Sequence, residues 1–443
     1  MSYPPQSSTT PDAARRAEAR RLTAGWRDRG RPPSLAVHED RYGPLPGNPA
    51  GRRGRAGLIE AVTAAGLTGR GGAGFPTGAK LRAVAGRRGP AALVANGMEC
   101  EPASEKDQAL LAMAPHLVLD GAVLAARAVG ADTVHVCLDR ARPVQVEEVF
   151  RAAEERRVAG RDDVPVLVHD LPGHYVSGEE TALISWLNGA GARPTTVPPR
   201  PFERGGRRRP TLVDNVETLA QVALIARYGP DWFRSAGERD APGTVLVTVS
   251  GAVSHPGVYE VAGGTSAGEI LALSGSSERG HVLVGGYFGS WHHLDEVARL
   301  PFTAAGLRPA GAAPGAGVLY VLPEMACGLA ETARVLGYLA GQSARQCGPC
   351  TYGLPAIAGD FAQLADARPQ GDVLDRLARR LALIPGRGAC RHPDGAARLA
   401  ASALTAFAGD ARAHAARRPC AARWRRPPCA LPVPRSRAGG GWR

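Results

Sequence analysis

The sequence predicts an α/β protein in three parts: a mainly parallel α/β domain, a small β domain and a C-terminal helical bundle. Short apolar runs alternate with helical segments between residues 57 and 226. Strand-like alternation broken by Gly and Pro follows over residues 243–300. After Met325 four apolar-periodic segments with short connections suggest a bundle.

The first part is expected to span 55–242. Gly57–Ala65 reads as a short helix, followed by the stretch GLTGRGGAGFPTGAK from Gly66 to Lys80. Ala91–Asn96 is a buried strand with a polar tip, Ala109–Ala128 a helix, Thr133–Leu138 a strand, Val144–Val158 a helix and Val164–His169 a third strand. In such a sheet, functional residues belong beyond the carboxyl ends of the strands. Residues 190–210 form a Pro- and Arg-rich crossing loop, and Thr211–Ala220 leads into a helix through Ala226. In the second part, 243–300, Thr244–Val249 alternates as a strand, Val282–Gly285 is another, and glycines mark the turns. The bundle is assigned to 325–410, with helices over Glu331–Leu339, Ile357–Asp366, Val373–Leu383 and Ala396–Phe407. Residues 1–54 and 411–443 read as disordered and basic, with a short helix possible over Pro11–Thr23.

The chain has 443 residues and a formal charge of +13, placed unevenly. Residues 1–55 contribute +6 and residues 411–443 contribute +9, leaving about −2 for the body. Charge confined to the tails argues against nucleic acid as the principal ligand. No run is apolar enough to span a membrane and no secretory core opens the chain. The expected location is the cytoplasm, or the inner face of the membrane through a complex. Eight cysteines in so long a chain do not suggest a disulfide scaffold.

Three stretches hold the polar chemistry. The first has six glycines between Gly66 and Gly78, and closely spaced glycines can present successive N–H groups to a phosphate. Lys80, one of only two lysines, closes it with a positive charge, while Phe75 and Pro76 stiffen its middle. A mobile Gly-rich loop is the plainer reading. The second, NGMECEPASEKD, follows a buried strand and concentrates Glu99, Glu101, Glu105 and Asp107 around Lys106; a plain acidic loop is the alternative. The third, HYVSGEETALISWLN, places Glu179 and Glu180 in the first turn of a helix, where simple capping would also favour acids.

Together these stretches resemble the flavoprotein subunit of respiratory NADH dehydrogenase, the 51 kDa or F subunit of complex I. Gly69–Lys80 matches that family's FMN loop, G-R-G-G-A-G-F-P-x-G-x-K. Asn96, Glu99, Glu101, Pro102, Lys106 and Asp107 fall on its N-x-x-E-x-E-P…K-D segment. Tyr175 and Gly178–Leu183 match its Y-x-x-G-E-E-T-A-L, and Asn215 its N-V-E-T-L. The N-G-x-E-C-E-P form is also similar to the Rnf-type C subunit. The resemblance implies an FMN-binding Rossmann-like α/β domain, a β-grasp domain of the soluble-ligand-binding (SLBB) type and an iron–sulfur bundle. It implies FMN contacts for Gly69, Arg70, Gly71, Gly72, Gly74, Phe75, Lys80, Asn96, Glu99, Tyr175 and Asn215. It assigns Glu101, Glu179 and Glu180 to the nicotinamide side of NAD(P)H. Departures are Met98 for Asp, Asp214 for Asn, and Val197 and Arg200 where the family carries the Lys and the Phe that clasp adenine.

Cys347 and Cys350 form a C-x2-C at the start of the second bundle helix, and Cys390 follows forty residues later. Such a pair alone could be a redox dithiol or part of a metal site. In the resembled family the pattern is S-C-G-x-C-x-P-C-R-x-G with a remote Cys, so these three match ligands of a [4Fe–4S] cluster. Ala344 stands in place of the first ligand, which leaves a [3Fe–4S] cluster, a non-Cys fourth ligand, or a bundle without iron. The expected function is an oxidoreductase passing electrons from NAD(P)H through FMN and a cluster to a protein or quinone-linked acceptor. The implied partner is a ferredoxin-like or thioredoxin-like subunit within a larger redox complex. The alternative is a non-catalytic scaffold or assembly flavoprotein with a lapsed NADH site.

Overall fold

The computed structural model describes residues 20–24, 26, 32–47, 51–276, 280–422, 430–434 and 441–442. Residues 11–19, most of the segment read as a possible helix, lie outside the described residues.

The first part is a four-stranded, wholly parallel sheet: β1 (Ala91–Gly97), β2 (Ala131–Asp139), β3 (Val166–Leu171) and β4 (Thr211–Asn215), in the order β3-β2-β1-β4. β1 is buried along almost its whole length, which is why it reads as a continuous apolar run. Around the sheet lie α1 (Leu35–Tyr42), α2 (Gly51–Ala65), α3 (Thr77–Ala85), α4 (Lys106–Met113), α5 (Pro115–Val129), α6 (Pro143–Val158), α7 (Glu180–Leu187) and α8 (Val216–Arg234), with α1 and α2 packed on other helices. The helix expected over Ala109–Ala128 is two helices. Pro115 has no N–H to donate to the preceding turn, so it opens α5 at 96° to α4. α5 and α8 cross backbone to backbone: a Cβ on Gly121 would stand 1.8 Å from the Leu219 carbonyl oxygen. Among the described residues no single helix is long and apolar enough to cross a membrane.

β4 falls in the segment that the sequence reads only as the approach to a helix. It pairs with β1 on the side away from β2, so the chain reverses its winding between β1 and β4. That switch point is where an open α/β sheet leaves a crevice. The register sets Asn96 opposite Asn215 at its mouth.

The β domain runs past its expected end at 300. β5 (Thr244–Gly251), β6 (Gly257–Ala262), β7 (His281–Val284), β8 (Ser290–His293) and β9 (Val318–Val321) form a mixed sheet in the order β8-β7-β9-β5-β6, with α9 (Ala267–Leu273) against it. β9 is its central strand, parallel to β5 and antiparallel to β7. The sheet is covered on both faces: Val247, Ile270 and Leu294 share its own core, while Leu283, Trp291 and Tyr320 join the core of the bundle. The bundle comprises α10 (Gly328–Gly341), α11 (Leu354–Ala365), α12 (Val373–Leu383), α13 (His392–Ala406) and α14 (Ala408–Ala415).

Two segments read as disordered are folded where they are described. The Glu260 carboxylate accepts from the backbone N–H groups of Arg21, Leu22 and Thr23 at 2.9–3.0 Å. His38 on α1 lies 2.7 Å from Asp120. At the other end, α14 continues past residue 410, Leu431 is 1% exposed and Trp442 stacks on His174 at 4.0 Å. These anchors are distant partners, which composition alone does not reveal.

Candidate functional site

The crevice at the β1/β4 switch point opens into a cavity of about 700 Å³, in the usual range for a cofactor site. All three parts line it. The α/β domain supplies Arg70, Gly71, Gly72, Asn96, Glu99, Glu101, Tyr175, Glu179 and Asn215. The β domain closes it with Gly285, Gly289 and the 311–316 loop, and the bundle with Cys390, His392 and Arg398.

The glycine stretch is a tied hairpin and not a mobile loop. Gly69 N–H donates to the Phe75 carbonyl and Thr77 N–H to that of Leu67, each at 2.9 Å. Arg70 N–H donates to Thr218 Oγ1 at 2.9 Å, and its guanidinium to the Thr244 carbonyl at 3.2 Å. Arg70 Nε is buried without a hydrogen-bond partner, on a side chain of the cavity wall, and its nearest anion is the Glu217 carboxylate at 4.0 Å. Its guanidinium is therefore a wall cation already partly balanced from within the chain.

Asn96 and Asn215 are fixed by the backbone they terminate. Asn96 Nδ2 donates to the Gly178 carbonyl at 2.8 Å. Asn215 caps α8 through Glu217 N–H at 2.9 Å and donates Nδ2 to Asp107 at 2.6 Å. Behind them Lys106 is buried between Asp107 at 2.6 Å and Glu217 at 2.8 Å. Glu99 is spent locally: it accepts from Asp107 N–H at 3.1 Å and Gln108 N–H at 2.9 Å at the start of α4. Burial, then neighbouring Asp107, pushes it up to about 7.

Glu101 joins the α/β domain to the β domain. It accepts from Tyr175 Oη at 2.7 Å, Tyr287 N–H at 2.8 Å and Ala103 N–H at 3.1 Å. Gly286, at φ +85°, makes room: a Cβ there would stand 2.8 Å from the carboxyl carbon. Burial outweighs the three donors and raises Glu101 to about 7. Tyr175 continues into the bundle, edge-on to Phe288 at 4.8 Å and tilted against His392 at 5.7 Å.

This raised carboxyl has a consequence for stability. Between pH about 4.5 and 7 the folded chain keeps the Glu101 proton that the unfolded chain has released, so stability falls as pH rises across that window, by about 3 kcal/mol in full. Glu101→Gln is expected to remove this component and leave a shallower slope from Glu99. Denaturant melts at pH 5 and 8 measure it; equal slopes in both proteins would refute the assignment.

Other expected site residues stand outside the cavity wall. Lys80 donates to the Val213 carbonyl and lies 3.6 Å from Asp214 and 3.9 Å from Glu180. Lys80 and Glu180 therefore face each other beside β4. Gly69 and Gly74 shape the hairpin, and Phe75 is 57% exposed. Glu179 lines the cavity, but its Oε2 caps α7, accepting from Thr181 N–H at 2.9 Å and Ala182 N–H at 3.2 Å. Capping and site are here the same residue.

Cys347, Cys350 and Cys390 converge across the bundle. Burial first, then Cys347 and Cys390 beside it, pushes the Cys350 thiol up to about 12. Cys347 and Cys390 both bear on the Cys350 thiol, although the three sulfurs do not all lie within 4.8 Å of one another; three thiols so placed can ligate a cluster, and Ala344 brings no fourth. Ser343, 5% exposed, places its hydroxyl against Cys350 and was missed in the sequence. Tyr287, His392 and Arg398 were missed too. Gly285-Gly286 straight after a strand was the one available signal for Tyr287; nothing in spacing marked the other two.

A switch-point cavity walled by a glycine hairpin, against a bundle that gathers three thiols, defines a flavin-type electron-transfer oxidoreductase. Residues 62–224 match the Nuo51 FMN-binding domain, and residues 330–414 the NADH-ubiquinone oxidoreductase-F iron-sulfur binding region. The chain is 34% identical to the F subunit of NADH-quinone oxidoreductase from Streptomyces coelicolor over 383 residues, covering 82% of this chain and 84% of that one. The Escherichia coli F subunit is 31% identical over 424 residues, 89% and 92% of the two chains. The chain belongs to the family of the NADH-quinone oxidoreductase F subunit. FMN and an iron–sulfur cluster are its cofactors. Solved structures of an NAD+-reducing [NiFe]-hydrogenase are also similar. The air-oxidised state gives TM-score 0.77 at 31% identity over 93% of this chain and 69% of that one. The H2-reduced state gives 0.74 at 32% over 82% and 63%, so the chain spans under two thirds of that hydrogenase chain.

Proposed function

We propose that the chain oxidises NADH in the cavity where its three parts meet and passes the electrons to the cysteine region of the bundle. The observation that carries this is the shared wall: Gly71 and Gly72 bound the cavity on one side and Cys390 on another. When bound, FMN takes up two electrons from a nicotinamide and an iron–sulfur cluster relays them singly. The chain's own residues bind and orient. The hairpin backbone and Arg70 hold the anionic end of FMN. Asn96 and Asn215, each locked by a second hydrogen bond, present fixed amide groups at the carboxyl ends of β1 and β4. Glu101, protonated or ionised near neutrality, can hold a proton at its Oε atoms beside Tyr175. Glu179 lies near enough to Cys390 to act on it electrostatically, and burial holds its own carboxyl above the usual carboxylate range. Lys80 and Glu180 act as a pair that fixes the flank of β4. Cys347, Cys350 and Cys390 would hold the cluster, as [3Fe–4S] or as [4Fe–4S] with a ligand other than cysteine.

Similarity to chains of a hydrogenase and of a quinone oxidoreductase supports association with other redox subunits. A ferredoxin-like or thioredoxin-like electron carrier is the partner we assign. A second reading, a scaffold whose NADH site has lapsed, draws on Lys80: it is turned to Val213, Asp214 and Glu180 and stands off the cavity wall.

Anaerobic titration separates the two. The purified chain, loaded with FMN, is expected to lose its visible flavin absorbance on adding NADH. A loaded chain unchanged by both NADH and NADPH would sink the catalytic reading and leave the scaffold.

A further inference from the structure

At the far end of the bundle a second set of metal-binding side chains comes together. Donor atoms of Cys327, His414 and Cys420 all lie within 4.8 Å of one another. Cys327 is 3% exposed and His414 fully buried, while Cys420 is half-buried. They come from three places: the residue before α10, the last helix α14, and the turn after it. In sequence, Cys327 and Cys420 carry no motif; Cys327 stands at the start of the expected bundle and Cys420 in the expected tail.

The arrangement has the features of a site prepared for a cation. His414 Nδ1 lies 3.2 Å from the Leu364 carbonyl. A carbonyl only accepts, so Nδ1 carries the ring proton and Nε2 keeps its lone pair on the side of the thiols. A backbone carbonyl on the far nitrogen is the outer contact that orients a ligating imidazole. The N–H groups of Leu329 and Ala330, in the first turn of α10, lie against the Cys327 sulfur, while burial, the larger effect, keeps it a thiol until a cation displaces its proton. Two sulfurs and one imidazole are a zinc donor set. In the structure Nε2 accepts from the Cys420 N–H at 2.9 Å, a contact that a bound cation would replace with a ligand bond.

The set is separate from the iron–sulfur region. Cys327 precedes α10 and Cys347 follows it; the fourteen residues of that helix span about 21 Å, too far for one cluster. Just beyond Cys420, the Leu431 N–H donates to Glu331 on α10 at 2.9 Å, so the end of the chain is already strapped along this helix.

We propose that Cys327, His414 and Cys420 form a zinc site that ties the C-terminal segment to the start of α10. Binding is not redox chemistry. Each thiol gives up one proton to solvent, the imidazole gives up none, and two thiolates neutralise the dication. Water takes the fourth tetrahedral position.

The test is metal analysis of the full chain purified anaerobically and incubated with zinc sulfate. About one equivalent of zinc is expected, retained in Cys390→Ser and at least about tenfold lower in Cys420→Ser. Because His414 is buried, His414→Ala can fail to fold; Cys420→His, which keeps a ligand, is expected to retain the metal. Cobalt in place of zinc should give sulfur-to-metal absorption that changes in Cys420→His. Zinc absent from the wild-type chain, zinc that survives Cys420→Ser, or a Cys327–Cys420 disulfide in the anaerobic protein by peptide mapping would each overturn the proposal.

Discussion

Lys106→Met is expected to destabilise the chain by about 3–5 kcal/mol and to weaken FMN binding at least about tenfold. Lys106 is 4% exposed, with Asp107 and Glu217 on its ammonium. Burial works against its charge, but Asp107, Glu217 and Glu99 outweigh it and leave its proton held more tightly than usual. Methionine fills a similar volume and supplies no charge. Two buried carboxylates then face each other with Glu99 nearby, and the structure must protonate them or admit water. The loss propagates to the site through two bonds: Asp107 holds Asn215, and Glu217 holds the Leu246 N–H at the start of β5. The variant should recover stability on acidification, because protonation removes the unpaired charges. Urea melts at pH 5 and 8 with an FMN titration measure both effects. A variant as stable as the wild type at pH 8 would mean that the lysine is not what neutralises this cluster.

Cys390→Ser is expected to remove at least about nine-tenths of the bound iron while leaving FMN in place. A serine hydroxyl is not ionised at neutral pH, and with Ala344 in the chain only two thiolates remain. The flavin should still be reduced by NADH but should no longer feed a one-electron acceptor. Cys390 is on the cavity wall, so its separation from the glycine hairpin in sequence does not make it remote from the flavin. A shift of the flavin absorbance in the variant is therefore expected as well. Iron and sulfide analysis with electron paramagnetic resonance reads the first effect, and the visible spectrum the second. Iron unchanged in Cys390→Ser would remove this residue from the ligand set.

The hairpin, the acidic segment after β1 and the Glu179–Glu180 turn were legible because each is a contiguous run with unusual composition. What they do was less so. Glu179 reads equally as a cap and as a site residue, and it is both, since one carboxylate oxygen serves α7 and the side chain still faces the cavity. Lys80 reads as a phosphate ligand, but the buried Asp214 on β4 lies 3.6 Å from its ammonium.

By itself, the sequence determined the parallel α/β domain, the β domain after it, the thiols of the bundle and the family to which these belong. Apolar periodicity, glycine spacing and C-x2-C are local patterns, written in neighbouring residues. Only the tertiary structure decided β4, whose five residues are too short to separate from the approach to a helix until β1 is beside them. The same holds for the central place of β9, for Glu101 joining Tyr175 to Tyr287, and for Cys327 meeting His414 and Cys420. Each of these is a meeting of residues from distant parts of the chain. Packing fixes such contacts, and no spacing along the sequence encodes them.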